Sequence, residues 1–337
     1  MRMVLGGDIG GTNARLAFFD GPPDRLTTVA IEIFPSREHK SLAEIAKAFI
    51  AKYKCTPSAA CFGIPGAIRD GIVEATNLPW VVRATTLASD VGLASVSLIN
   101  DLEANAHGIV LLAESDLVTL NAGVPVRGGN RALISAGTGL GEAGLLAESD
   151  GSFRPFPSEG GHTDFAPSNE IQIDLLRYLL GRFGHVSYER VLSGPGLHNI
   201  YQFLRDTRRA EEPHWLRDVI AKGDPSAAVA KSGLEGTSEI GVQALDLFVS
   251  IYGAAAGNLA LQVVATGGVF IGGGIAPKII DKLRSPAFLT AFQAKGRVSS
   301  LLKDIPVRAI TNDKTALLGA GRVAALAAAR KQKSAEL

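Results

Sequence analysis

The sequence predicts an α/β fold built from two related halves, and three observations carry that prediction. Short β-branched or aromatic runs come first and then alternate with amphipathic helices, the order of a mixed sheet with helices packed on it. A hydrophobic strand, a glycine-rich turn and a second apolar strand occur over residues 3–19 and again over 131–147. Finally, 337 residues suffice for about two domains, each able to bury a core of its own.

The elements follow in order. Residues 15–19 and 29–33, bounded by Gly, Pro or Asp, read as part of an opening hairpin and a third strand. Over 41–53, Leu42, Ile45, Ala46, Phe49, Ile50 and Tyr53 share a helical face, and Ser41 with Glu44 forms a capping box. Strands are predicted at 59–64 and 95–100, the second running into a helix over 101–112. The pattern restarts with a buried strand at 131–135, a glycine-rich turn over 137–141 and a strand at 143–147. Ser168 is placed to cap a helix over 169–183, whose Ile171, Leu175, Leu179 and Phe183 share a face. Further helices are predicted at 197–207, 238–266, 277–283 and 286–294. A last helix over 314–330, with apolar Leu317, Leu318, Val323 and Leu326, is placed to pack back on the first domain. The expected division is a small domain of residues 1–111 plus 313–331 and a large one of 112–312, with 112–116 as the hinge candidate.

Composition removes several function classes. Hydrophobic residues make up 46% of the chain and charged ones 20%, which excludes disorder. With 34 Lys and Arg against 33 Asp and Glu there is no electrostatic footprint for nucleic acid, and the basic Arg330, Lys331 and Lys333 read as a solvated helix end. Cys55 and Cys61 lack a second pair or a nearby histidine cluster, so they read as reduced thiols rather than zinc ligands or a disulfide scaffold. The apolar stretch at the first residues ends too early for a signal peptide, which points to the cytoplasm. No charge occurs between Asp246 and Lys278, a span long enough to cross a bilayer. Ser250, Asn258 and Gln262, then Gly267, Gly268, Gly272, Gly273 and Gly274, argue instead for a buried helix, a short strand and a glycine loop. Within that helix Gly253 and Gly257 form a small-xxx-small pair that lets soluble helices pack closely.

Three glycine clusters carry the chemistry. Gly7, Asp8, Ile9, Gly10, Gly11 and Thr12 lie between two predicted strands, where backbone N–H groups can meet phosphate oxygens, Thr12 adds a hydroxyl and Asp8 can hold hydrated magnesium. No helix follows directly and no Gly-Lys-Ser/Thr is present, so this is neither a Rossmann fingerprint nor a P-loop. Gly137, Thr138 and Gly139 follow another strand and suit phosphate in the same way. Gly273 and Gly274 sit between a strand and a helix, with Pro277 in its first turn, and suit backbone packed against a flat nucleoside.

Together these residues resemble the sugar kinases of the superfamily that includes hexokinase, actin and the heat-shock ATPases. Residues 8–15 look like its first phosphate motif and 137–141 like its second. The nearer resemblance is to bacterial glucokinases: residues 98–101, 159–167 and 189–197 look like that family's motifs, in the family's order. The resemblance implies a two-domain actin-like ATPase (ribonuclease H-like) fold with an interdomain cleft, and the first step of glycolysis, ATP-dependent phosphorylation of glucose to glucose 6-phosphate with Mg2+. A sugar hydroxyl must meet the terminal phosphate in line while a carboxylate takes its proton. Asp101, at the junction of a strand and a helix, is placed for that role, against the plainer reading as a helix N-cap. The resemblance makes Asn100, Glu159, His162 and Glu189, with Asp101, the sugar ligands. His39, His107, His185, His198 and His214 receive no role. The zinc-binding regulator branch carries a cysteine-rich motif after its Glu-x-x-His element, and no cysteine stands there in this chain. A kinase for another hexose and a non-catalytic sugar sensor remain as alternatives, and a homodimer is expected from the resemblance alone.

Overall fold

The computed structural model describes residues 3–335, and the side chains up to Lys331, so that of Lys333 lies outside the described residues. The chain forms two compact units, one of residues up to Ser115 together with those from Asn312, the other of Asp116–Thr311.

The first unit opens with β1 (Val4–Ile9), β2 (Asn13–Asp20) and β3 (Thr27–Pro35), continues through α1 (Leu42–Tyr53) and β4 (Ala60–Ile64), and adds a small antiparallel sheet of β5 (Ile68–Arg69), β6 (Ile72–Glu74) and β7 (Val81–Arg83). After α2 (Ala84–Asp90) come β8 (Val96–Asn100) and α3 (Asp101–Gly108). Its main sheet runs β3-β2-β1-β4-β8, with β1, β4 and β8 parallel and the β1–β2–β3 meander antiparallel. α1 starts where its capping chemistry places it. The Ser41 hydroxyl accepts from the Glu44 N–H at 3.3 Å, and the Glu44 carboxylate accepts from the Lys40 N–H at 2.9 Å. Leu42, Ile45, Ala46 and Phe49 are buried and the Phe18 and Phe49 rings lie 4.7 Å apart, while Tyr53 stays 39% exposed. The predicted helix 101–112 is α-helical only to Gly108 and ends as a 3-10 turn over Ile109–Leu111.

The second unit contains β9 (Leu117–Asn121), β10 (Arg131–Ala136), β11 (Leu140–Ala147), β12 (Phe153–Ser158), α4 (Glu170–Phe183), α5 (Gly194–Asp206), α6 (His214–Lys222), α7 (Pro225–Leu234) and α8 (Glu239–Gln262). It closes with β13 (Gly268–Gly272), α9 (Ile280–Leu283), α10 (Pro286–Gln293), α11 (Ser299–Asp304) and β14 (Val307–Ile310). Its sheet runs β12-β11-β10-β13-β14-β9, with β10, β13 and β14 parallel. The first five strands repeat the order and polarity of the first sheet: an antiparallel meander leading into three parallel strands.

Several predicted boundaries need correction. The second strand after the 137–141 turn begins at Leu140, not 143, so Gly141 is strand. Asn169, not Ser168, caps α4 by accepting from Gln172 N–H at 3.1 Å, while the Ser168 hydroxyl and N–H both donate to the Gln172 side chain. α8 stops at Gln262 rather than 266. The predicted helix 277–283 is a 3-10 turn, Ala276–Ile279, followed by the single turn of α9. α8 is long and apolar enough to cross a membrane by length and composition, but 78% of its most apolar window is buried within the protein.

The chain then returns to the first unit as α12 (Thr315–Ala335). Ala316, Leu317, Ala320, Ala324 and Ala325 are its buried apolar side chains, packed with Val4, Ala17, Phe19, Cys61 and Ile99 of the sheet and with Ala104 of α3. The contact face is thus mostly alanine rather than the leucines alone, which lets helix and sheet approach closely.

Candidate active site

In each unit the predicted residues collect where parallel strands end. In the first unit β1 ends at Ile9, β4 at Ile64 and β8 at Asn100, with Ile64 and Asn100 in register. Crevices outside the carboxyl ends of parallel strands are where open α/β sheets bind ligands.

The first glycine motif is shorter as a turn than the sequence suggests. Gly7 pairs with Leu16 on one side and Phe62 on the other, and Ile9 is wholly buried, so both belong to the sheet and its core. The turn itself is Gly10, Gly11 and Thr12, closed by the Gly10 N–H donating to the Asn13 carbonyl at 2.8 Å. Ser36, fully buried, fixes it from outside: its hydroxyl donates to the Gly10 carbonyl at 2.7 Å and its N–H to the Thr12 carbonyl at 2.9 Å. Nothing in the sequence marks Ser36, because the contact spans 26 positions.

Asp8 ends up beside three charged groups. Burial pushes its carboxyl up to about 6; the Arg15 guanidinium pulls the other way, and the carboxylates of Asp101 and Asp313 push it further up. Arg15 is itself engaged with Asp313, its guanidinium 3.0 Å from that carboxylate and 2.6 Å from the carbonyl. Among the described residues no group of three or more His, Cys, Asp or Glu could cage a metal. Asp8, with the Asp101 and Asp313 carboxylates near it, still fits magnesium, which keeps waters and leans on one or two carboxylates plus substrate phosphates.

Asn100 and Asp101 divide the two readings offered for Asp101. Asn100, half-buried, is the N-cap of α3: its Oδ1 accepts from the Leu102 N–H at 2.8 Å and its Nδ2 donates to the Gly66 carbonyl at 3.2 Å. Capping therefore explains the Asn. Asp101 is the first helical residue, with Oδ1 accepting from the Leu102 N–H at 2.9 Å, at the positive end of the helix.

In the second unit two turns leave the adjacent parallel strands β10 and β13. Gly137, exposed Thr138 and Gly139 form the first, closed by the Gly137 N–H on the Gly139 carbonyl at 2.8 Å. Gly273 and Gly274, both exposed, form the second. Gly273 has φ +83°, and a Cβ there would collide with the Ala136 carbonyl, so only glycine fits. The two turns are stitched by the Ile275 N–H donating to that same carbonyl at 3.2 Å.

Glu159 precedes and His162 ends a 3-10 turn, Gly160–His162, with both side chains exposed and 3.9 Å between Oε2 and Nε2. Glu189 lies in a second 3-10 turn, Tyr188–Arg190, and the two turns are joined by the Tyr188 N–H on the Thr163 carbonyl at 3.0 Å. The Glu189 carboxylate reaches the 137–139 turn, accepting from the Leu140 N–H at 3.1 Å. So Glu159, His162 and Glu189 are held by one pair of linked turns, and Glu189 also touches a glycine turn 49 positions away. Sequence reasoning missed Glu142, a buried carboxyl that burial pushes up to about 7. It packs against Gly160, under the turn between Glu159 and His162. Its signal was available, an acidic residue inside an apolar strand.

Two sheets of one topology, with glycine turns and carboxylates at the ends of their parallel strands, make this an actin-like ATPase fold of the sugar-kinase class. Solved structures agree. A glucokinase from an Antarctic psychrotroph is 30% identical with a TM-score of 0.86, the match covering 96% of this chain and 99% of that one. A ROK family glucokinase from Streptomyces griseus, solved with glucose and AMPPNP, has a TM-score of 0.62 over 96% of this chain and 99% of its own; at 21% identity it bears on the fold alone. The chain belongs to the glucokinase family, whose profile matches residues 5–327. A glucokinase of Nostoc sp. is 40% identical over 341 residues, covering 96% of this chain and 99% of that protein.

Proposed function

We infer that this chain phosphorylates glucose with ATP, giving glucose 6-phosphate and ADP, the entry reaction of glycolysis. The observation that carries the reading is membership of the glucokinase family over nearly the whole chain, with a carboxylate at Asp101 on the carboxyl edge of a parallel sheet.

The roles follow from chemistry. The sugar's 6-hydroxyl oxygen forms a bond to the terminal phosphorus as the bond from that phosphorus to the bridging oxygen of ADP breaks. Asp101 takes the hydroxyl proton, so the attacking oxygen does not carry positive charge. Asn100, Glu159, His162 and Glu189 offer the mixture of donors and acceptors a polyol needs. Asn100 has less to give than its amide suggests, since its Oδ1 and one Nδ2 hydrogen are already engaged. Gly11 and Thr12 of the first unit, and Thr138 and Gly139 of the second, offer backbone N–H groups to phosphates, those of Gly10 and Gly137 being used to close their turns, while Gly273 and Gly274 present bare backbone to the nucleoside. Asp8 would hold a hydrated magnesium ion through water, which supplies charge neutralisation to the phosphates. Homodimeric assembly and a cytoplasmic location complete the reading.

The test is a coupled ADP-release assay over glucose, fructose, mannose and amino sugars, with ATP and polyphosphate as parallel donors. The reading requires glucose with ATP to give the highest kcat/KM. A higher value for another hexose would reassign the acceptor, and glucose binding without turnover would make the protein a sensor.

A further inference from the structure

We propose that α8 is the common positioning element for both substrates, acting through two side-chain contacts: Tyr252 sets the nucleotide turns, and a Lys295–Asn258–Tyr188 chain sets Glu189. The proposal rests on the roles given above to Glu189 and to the glycine turns.

Tyr252 is completely buried. Its hydroxyl accepts from the Ala136 N–H at 3.2 Å and lies 3.3 Å from the Gly272 carbonyl and 3.4 Å from that of Ile134. Ala136 is the last residue of β10 and Gly272 the last of β13. One phenol therefore ties together the two strand ends from which the 137–139 and 273–274 turns depart. A tyrosine hydroxyl costs free energy to bury, and here its polar capacity is spent on those two ends.

The second contact begins where α10 crosses the helix. Gly253 and Gly257 have no side chain because the Phe288 and Phe292 carbonyls of α10 occupy that space. This close crossing brings the segment after α10 onto α8, where the Lys295 ammonium donates to the Ala254 carbonyl at 2.9 Å and to the Asn258 Oδ1 at 2.6 Å. With its oxygen so occupied, the Asn258 amide is oriented to donate from Nδ2 to the Tyr188 hydroxyl at 2.8 Å. Tyr188 is buried, and Glu189 follows it in the same 3-10 turn. The small-xxx-small pair thus places a lysine that orients an asparagine, which fixes the turn bearing a sugar ligand. None of these residues needs to touch substrate; they are positioning residues.

The two contacts predict a split that general loss of stability would not produce. Tyr252→Phe is expected to raise KM for ATP by roughly 5- to 10-fold and leave KM for glucose within about 2-fold. Tyr188→Phe and Lys295→Met are expected to do the reverse, and the double variant to be no worse for glucose than Tyr188→Phe alone, since both cut one chain. Lys295 is half-exposed, so Lys295→Met keeps the test open if Tyr252→Phe does not fold. Folded variants whose two KM values move together, or only whose melting temperature moves, overturn the proposal. Glu189→Gln runs beside them. If it raises KM for glucose and Lys295→Met does not, the proposal fails while the sugar-ligand role of Glu189 stands; if it leaves that KM unchanged, both fail.

Discussion

Asp101 and Asp8 are carboxylates on one sheet edge with opposite demands on them. Asp101→Asn keeps shape and loses only proton acceptance, so turnover is expected to fall by about two orders of magnitude or more while KM for glucose stays within a few-fold. Steady-state kinetics check this; near wild-type turnover would return Asp101 to a purely helical role. For Asp8 the ordinary value is 3.8 and the folded value about 6, so between those pH values the folded protein keeps a proton that the unfolded chain has lost. Stability then falls as pH rises through that window, and the cost of the buried charge is fully present above it. Asp8→Asn is expected to raise stability at pH 7.5 by on the order of 2–3 kcal/mol, with the gain shrinking toward pH 4.5, and to impair catalysis. Paired thermal melts at the two pH values measure it. At this scale the sequence disclosed the residues with unusual neighbours in the chain, such as Asn100-Asp101 and Glu159 with His162. It concealed Ser36 and Asp313, whose partners come from distant segments.

Elements were legible where local chemistry decides them. Ser41 and Glu44 mark the start of α1, and the glycine turns mark strand ends, because caps and turns depend on adjacent residues. The small sheet β5–β7 escaped because strands of two or three residues are too short to show alternation. α6 and α7 also escape: Asp224 caps α7 by accepting from the Ser226 and Ala227 N–H groups, but Ala227, Ala228 and Ala230 blur its apolar face. The turns themselves give a paired prediction. Gly273→Ala forces a side chain onto a φ of +83° and against the Ala136 carbonyl, so it is expected to raise KM for ATP by roughly 10-fold or more. Gly274→Ala meets nothing within 4 Å and is expected to stay within about 2-fold. Equal effects of the two in ATP titrations would place the nucleotide elsewhere.

At the scale of the whole molecule, the repeated strand order was visible in the sequence only as two strand–glycine–strand hairpins. The parallel strands that complete each sheet come after intervening helices, and their pairing is a long-range choice that no window reveals. The return of α12 to the first unit was expected from the sequence, but its particular partners were not, as Arg322 with Asp24 illustrates at a separation of 298. Ala320→Asp would place a carboxylate in the mostly alanine contact face of α12 and is expected to destabilise the first unit by about 3 kcal/mol or more. Hydrogen exchange should then accelerate in β1, β2 and α3 while α5 and α8 keep their protection; uniform acceleration would mean that the two units unfold as one.

The return of α12 also sets an order of assembly on the ribosome. Residues 116–311 form a unit from one continuous stretch, so it has all its parts while the last helix is still being made. The first unit, synthesised earlier, lacks the helix that covers Val4, Ala17 and Phe19 until residues 315–335 emerge. Domains usually mature from the N-terminus onward; here the half begun first is completed only after the whole of the second unit has been made, and its sheet face stays open through that interval.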